Sequence, residues 1–444
     1  MSKKDIVTKV LVEVSRIIIG VTFIFSGFVK AVDPFGTAYK IEDYLSSFHL
    51  SSLSFLALPT SAFLCAFEFA MGAFMLFGIY RRWNSRLVLL TMCFMTPLTL
   101  YLAIANPVED CGCFGDALII TNWQTFFKNI VLLACAIFII FHRERISNFF
   151  TGKTYWLAFL YILIFISIFV FRNYLFDPIF DFRPYKIGAN IPELMSVDEG
   201  KGHQEEMILV YAKNGVEEKF TDQNAPWKDS TWTYVRLETK LISEGEIPLI
   251  KDFTISRLFF NQGKTELVDQ SDITADVLSD SDYVFLMISP SLTEMNESYL
   301  SNFEDVENYA HDHQYKFYCL TASGPDDIMI WAKTNVIDFN FCNTDERTLK
   351  TIIRSNPGLL LLKNGVIINK WADINVPAEE DLTAPIDQLS YGQPINTKNE
   401  DKKNWIYISA LFVLPLLGLK GMDLLFFRRR KEKEVDESHE DEIN

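Results

Sequence analysis

Six blocks of the chain, at about 10–31, 60–80, 87–106, 123–141, 155–176 and 405–427, are almost wholly apolar. Each is close to the ~20 residues that a helix needs to cross a bilayer. A soluble protein scatters its apolar residues at helical or strand spacing instead of gathering them. In lipid the backbone must satisfy its own hydrogen bonds, so such blocks predict helices and not strands. The first expectation is a bundle of six transmembrane helices.

The flanking charges orient that bundle. Lys3, Lys4 and Lys9 precede the first span, and Arg81, Arg82 and Arg86 separate the second from the third. His142, Arg143, Arg145 and Lys153 lie between the fourth and fifth, and Arg428, Arg429, Arg430 and Lys431 follow the sixth. If every span crosses once, all four clusters fall on one side, and the positive-inside rule makes that side the cytoplasm. The expectation is a multi-pass inner (cytoplasmic) membrane protein with both termini cytoplasmic. The 32–59 loop, a Cys-Gly-Cys loop and a large 177–404 region then lie in the periplasm. The first span carries Glu13, Arg16 and Lys30 and lacks a small-residue cleavage site, which disfavours a signal peptide. The net charge of −16 is concentrated in the outer region and the last dozen positions, and this acidic soluble face argues against a nucleic-acid partner, whose phosphates need clustered Lys and Arg there. The lipid bilayer is the first partner.

Polar residues inside spans are costly and face the bundle interior. Glu68 lies near the middle of the second span, with Arg16 and Lys30 as its candidate partners; the sequence does not choose between them. Lys128 and Asn129 enter the fourth span from the outer side. These residues either lock the bundle or form a proton or substrate path. Gly20, Gly27, Gly72 and Gly78 permit close helix approach.

Of the seven cysteines, Cys65, Cys93 and Cys135 lie in apolar blocks and read as small buried hydrophobes. Cys111 and Cys113 flank Gly112 in the loop after the third span. They are the candidate redox pair. The 105–122 loop carries Glu109, Asp110 and Asp116 and no Lys or Arg, surroundings that raise a thiol pKa. The pair closes on itself as a strained, easily reduced ring, exchanges with a partner's disulfide, or forms a static bond. It is not Cys-x-x-Cys, and two sulfurs do not make a zinc site. No triad, nucleotide loop or haem-ligand pair stands out, so neither a cofactor nor a metal is implied.

Three motifs stand out in the first four spans: Phe25-Ser26-Gly27-Phe28-Val29-Lys30 with Asp33-Pro34-Phe35-Gly36, Glu68-Phe69-Ala70-Met71-Gly72, and Cys111-Gly112-Cys113-Phe114-Gly115. In these motifs the four spans resemble the DoxX/MauE family of membrane proteins. The last element points to the MauE branch. The resemblance covers about 140 residues and implies a redox-associated membrane protein linked to maturation of a disulfide-rich periplasmic enzyme.

The 177–280 stretch reads as a small β-rich segment, with strand-like runs at 207–211 and 231–235. From 281 strands and helices alternate: strand 283–288, helix 297–313, strand 316–320, helix 326–333, strand 339–342, helix 348–355. Strands 358–362 and 366–371 follow, joined by Asn364-Gly365, a strong hairpin signal. This implies an α/β layered domain over 281–395. Its order is similar to the thioredoxin fold in its TlpA-like form, with Pro357 where that fold places its cis-proline. The resemblance makes Pro357 and Asn356 the partner-binding edge. The active forms of that family carry Cys-x-x-Cys after the first strand, where this chain reads Ser289-Pro290-Ser291-Leu292-Thr293-Glu294-Met295-Asn296. Their dithiol activity is therefore not carried over. Cys319 and Cys342 lie on strands that such a sheet places side by side; two buried thiols are the favoured reading.

The expected organisation is a four-helix membrane domain over 1–150, a fifth span at 151–176, the β-rich segment at 177–280 and the thioredoxin-like domain at 281–395. A linker and sixth span at 396–427 and a charged, disordered cytoplasmic tail at 428–444 complete it. Two functions fit. In one, Cys111 and Cys113 exchange disulfides during maturation of a periplasmic or envelope client, and the non-catalytic outer domain presents that client. In the other, the protein is a non-enzymatic scaffold or assembly subunit of a membrane complex, with structural cysteines. A transporter or proton path has only Glu68 to support it.

Overall fold

A computed structural model describes residues 3–441 except 109, 152–153, 198–203, 214–215, 222–223, 225, 227–230, 244, 246–247 and 262–265. Glu109 and Lys153 thus lie outside the described residues. The chain divides into two compact units: Met1–Arg183 with Trp371–Asn375 and Asn396–Asn444, and Pro184–Lys370 with Val376–Ile395.

The first unit is helical. Its elements are α1 (Lys3–Val32), α2 (Pro34–Ser47), α3 (Ala57–Phe77), α4 (Arg81–Ala105), α5 (Asn122–His142), α6 (Tyr155–Leu175) and α12 (Thr397–Asp441). Six helical segments are long and apolar enough to cross a membrane: Lys3–Val32, Ser51–Phe77, Arg81–Ala105, Asn122–Arg145, Tyr155–Leu175 and Thr397–Leu425. They reproduce the six spans expected from hydropathy. The protein is a multi-pass membrane protein.

α1 and α3 touch backbone to backbone. A Cβ at Gly27 would lie 2.3 Å from the Phe69 nitrogen, and one at Gly72 would lie 2.5 Å from the Ile24 nitrogen. Small residues at a crossing substitute dispersion contacts for the hydrophobic drive that lipid removes. α5 starts with a capping box: Thr121 Oγ1 accepts from the Gln124 N–H at 3.2 Å, and Gln124 Oε1 accepts from the Thr121 N–H at 3.0 Å.

Three features depart from expectation. The 32–59 segment is mostly helical and not a loop, because Asp33 caps α2 by accepting from the Gly36 N–H at 2.9 Å and Pro34 fits the first helical turn. α12 continues to Asp441, so the charged tail is helical; its Lys, Arg and Glu residues are good helix formers. Cys93 is exposed on the bundle surface instead of buried, since a membrane helix turns one side toward lipid. Cys65 is buried and Cys135 partly so.

The second unit contains the strands and five short helices: α7 (Ile191–Met195), β1 (Gln204–Lys213), β2 (Val216–Thr221), β3 (Thr233–Ser243), β4 (Ser256–Phe260), β5 (Leu267–Asp272), α8 (Thr274–Leu278), β6 (Tyr283–Ser289), α9 (Leu300–Asp312), β7 (Lys316–Thr321), α10 (Pro325–Asn335), β8 (Phe341–Asn343), α11 (Glu346–Ile352), β9 (Gly358–Lys363) and β10 (Val366–Ala372). β2-β1-β3 form an antiparallel sheet of their own, and the other strands form one sheet in the order β10-β9-β6-β7-β8-β4-β5. β4 and β5, which the sequence groups with the β-rich segment, extend the edge of this larger sheet through the β4–β8 pairing. β6 is buried at all seven positions, as suits a central strand covered on both faces. It runs parallel to β7 and antiparallel to β9. Asn364 (φ 50°) and Gly365 (φ 70°) turn β9 into β10 as anticipated. The Asn356–Pro357 bond is cis.

Candidate functional site

The Cys-Gly-Cys loop joins α4 to α5 and is held at three points. Ser26 Oγ, on α1, donates to the Cys113 carbonyl at 2.7 Å. Tyr44 OH, on α2, donates to the Cys111 carbonyl at 2.7 Å. Lys40 Nζ, also on α2, pairs with Asp110 Oδ2 at 2.9 Å, and Asp110 Oδ1 accepts from the Gly112 N–H at 2.7 Å. Gly112 takes φ +64°, which glycine adopts without strain, and the Lys40 stem packs over the space a Cβ would fill. Cys111 Sγ and Cys113 Sγ come within 2.8 Å of each other.

Beneath the loop lies a buried ion pair. Lys30 Nζ stands 2.7 Å from Glu68 Oε1 and 2.8 Å from Oε2, and Ser26 Oγ is 2.7 Å from Glu68 Oε2. Ser26 thus links the carboxylate to the Cys113 backbone. This settles the partner of Glu68: Arg16 instead pairs with Glu13 at 2.7 Å and donates to the Ser147 carbonyl at 2.8 Å. Fourteen residues at ~1.5 Å per residue separate positions 16 and 30 along α1, too far for both to reach one carboxylate. Lys128 Nζ, from α5, lies 4.2 Å from the centre of the Phe114 ring, a cation–π distance. Asn129 Nδ2 donates to Thr99 Oγ1 at 3.2 Å and ties α5 to α4.

Cys113 lines a cavity of about 40 Å³ inside the bundle with Ser26, Lys30, Glu68, Met92, Lys128 and Asn129. This is room for a few water molecules. A second hollow, also about 40 Å³, is lined by Lys30, Lys40, Asp110, Gly112, Asp181 and Arg183. Cys111 lines neither; it packs with Leu102 and Cys113 in a small cluster against Tyr44, Leu98 and Val108.

The two thiols are electrostatically unequal. The hydrogen bond with Cys111 lowers the Cys113 pKa against the effect of burial, and the Lys128 and Lys30 charges lower it further. The Cys111 thiol is pushed up by that same hydrogen bond, by burial and by the neighbouring sulfur. The acidic loop composition pointed to raised pKa values for both. The fold corrects this for Cys113 by bringing lysines from α1 and α5, distant in sequence, to its side. Burial and the two sulfurs push the Tyr44 phenol up as well, which keeps it a donor.

In the second unit Pro357 is buried and Asn356 half-buried. Asn356 Oδ1 accepts from Ser289 Oγ at 2.7 Å and its Nδ2 donates to the Ser291 carbonyl at 2.8 Å, while its own carbonyl accepts from the Asn296 N–H at 2.8 Å. The segment without cysteines is therefore fastened to Asn356. Cys319 pairs in register with Phe341, and Cys342 with Leu320. The two thiols thus point to opposite faces of the sheet and do not meet. Ser26, Lys40 and Tyr44 were not singled out as site residues in the sequence. Only Ser26 left a trace there, as part of the Phe25–Lys30 motif.

The helices and this loop define a multi-pass membrane protein with a paired-cysteine loop at one end of its bundle. Residues 8–142 match the family described as Methylamine utilisation protein MauE. That match takes in α1 to α5 and the whole Cys-Gly-Cys loop, and covers about a third of the chain. Residues 205–244, which hold the three-stranded sheet, match a family described only as a domain of unknown function, DUF8463. No curated protein matches the chain.

Proposed function

We propose that this protein assists the thiol–disulfide-linked maturation or assembly of exported proteins, with Cys111 and Cys113 as its exchanging pair. The observation that carries the reading is the 2.8 Å approach of the two sulfurs on a loop fastened by Ser26, Tyr44 and the Lys40–Asp110 pair. A tethered sulfur pair with one stabilised thiolate suits exchange. The MauE match over the same residues supports a redox setting.

The positive clusters at the opposite end of the bundle support an inner-membrane orientation with the loop and the second unit in the periplasm. The strand order β10-β9-β6-β7-β8, with β6 parallel to β7 and antiparallel to β9, supports a thioredoxin-like reading of the outer domain. Ser289 to Asn296 hold no cysteine, so that domain acts as a non-catalytic docking module for a periplasmic or envelope client, with Asn356 and Pro357 at the docking end.

One observation favours a second reading, a membrane scaffold with structural cysteines: Cys111 and Cys113 are only 9% and 7% exposed. The redox state of the pair separates the two. Intact cells are acid-quenched and alkylated before and after mild reductant. A mixed, rapidly reducible population supports exchange; a resistant bond or two permanently free thiols supports the scaffold.

A further inference from the structure

Resting on the exchange reading, we infer that the two sulfurs have fixed and different roles: Cys111 forms the mixed disulfide with the partner, and Cys113 is the internal thiolate, held by Lys128 as its positioning residue. The placement of the sulfurs carries this. Cys113 backs onto the intramembrane cavity that it shares with Lys30, Glu68 and Lys128, a place no protein partner reaches. Cys111 does not line that cavity, and the half-buried Tyr44, which donates to the Cys111 carbonyl, packs on the cluster that the two cysteines share, so a partner arriving at the loop meets Cys111 on displacing Tyr44.

The charged groups around Cys113 are not equivalent. Lys30 is committed to Glu68 through two contacts of 2.7 and 2.8 Å, which cancels most of its field at the sulfur. Lys40 is committed to Asp110. Lys128 rests on the face of Phe114, the residue adjoining Cys113, and an aromatic face leaves the full positive charge in place. The α4 wall of the cavity contributes Thr91, Met92 and Met95 and no charge. Among the described residues, Lys128 is therefore the cation whose charge acts on Cys113 without a carboxylate to offset it.

The step balances as follows. A partner thiolate attacks Cys111 Sγ of the oxidised pair. The partner–Cys111 bond forms as the Cys111–Cys113 bond breaks, and the electron pair leaves on Cys113 Sγ beside Lys128. A second partner thiol, giving its proton to Cys111 Sγ, then attacks the partner sulfur. The partner ends as a disulfide, two electrons poorer, and the pair ends as a Cys111 thiol and a Cys113 thiolate. Run backward, the same steps reduce a partner disulfide.

The test uses the full-length protein. In cells, Cys113→Ser should accumulate mixed disulfides through Cys111, visible on non-reducing gels, and Cys111→Ser should not. In the reduced protein in detergent, the midpoint of the iodoacetamide pH–rate profile of Cys113, read by peptide mass spectrometry, should move up by about one pH unit in Lys128→Gln, and the rate at pH 7 should fall roughly twofold, since a thiol that ionises below pH 7 loses only part of its thiolate there. Lys128→Arg should restore it. A purely structural lysine would leave the pH profile in place once the variant folds. Trapping through Cys113, or coincident pH profiles for wild type and Lys128→Gln, overturns the inference alone. Trapping through neither cysteine, with the pair fixed in one redox state, removes the exchange reading and the inference with it.

Discussion

Lys30 and Glu68 meet at 2.7 Å inside a helix pair that Gly27 and Gly72 bring into backbone contact, and the Ser26 hydroxyl connects this ion pair to the Cys113 carbonyl. The polar centre of the membrane unit and the cysteine loop are thus one hydrogen-bonded assembly. Its parts come from three separate stretches of chain.

Breaking the ion pair from one side leaves a buried charge unpaired. Glu68→Gln or Lys30→Met should each destabilise the protein by about 3–5 kcal/mol, while Lys30→Met with Glu68→Leu should recover most of the loss. Thermal unfolding in detergent measures this. Single variants as stable as wild type would remove the pair from the stability argument.

The close crossing of α1 and α3 predicts a contrast between two glycines. Gly27→Ala places a carbon 2.3 Å from the Phe69 nitrogen and should cost about 1–3 kcal/mol through helix displacement. Gly418→Ala, in α12, meets nothing within 4 Å and should be neutral or mildly stabilising. Equal melting temperatures for the two variants would contradict the crossing.

Tyr44→Phe keeps the ring over the loop and removes the hydrogen bond to the Cys111 carbonyl. Stability should change by about 1 kcal/mol. Cys111 should nevertheless be alkylated faster than in wild type, because its cover opens more readily. An unchanged rate would mean that Tyr44 does not guard this sulfur.

Cys319 and Cys342 should neither pair nor react in the folded protein. They face opposite sides of the sheet, and burial pushes both thiols up, Cys342 to about 12. Diamide treatment followed by peptide mapping should find no link between them. The raised Cys342 pKa also has a consequence for stability. Its contribution is fully present below the unfolded cysteine pKa of ~8.5 and is lost as pH rises toward about 12, since the unfolded chain loses the proton first. Cys342→Ala should flatten the alkaline fall in stability over that window.

The six spans were legible because each is a local property: a run of apolar residues long enough to cross lipid declares itself without reference to the rest of the chain. The Asn364-Gly365 turn and the strand–helix alternation beyond 281 were legible for the same reason. By hydropathy the 32–59 segment reads as a loop, since its weakly apolar turns lack the length that marks a span. Asp33 and Pro34 held the cap signal that shows it to be helical.

The site was legible only in part. Cys111, Cys113 and Glu68 stand out because thiols in an adjacent pair, and a carboxylate in an apolar run, are conspicuous by type and position. What the sequence alone determined was therefore the spans, the cysteine loop between two of them and the need of Glu68 for a partner. The tertiary structure decided that the partner is Lys30 and not Arg16, that Ser26 and Tyr44 hold the loop, and that Lys128 gives Cys113 a cationic neighbour which the acidic loop lacks. Coulomb and hydrogen-bond energies depend on distance in space, and helix packing sets those distances between residues that sequence separation leaves unrelated.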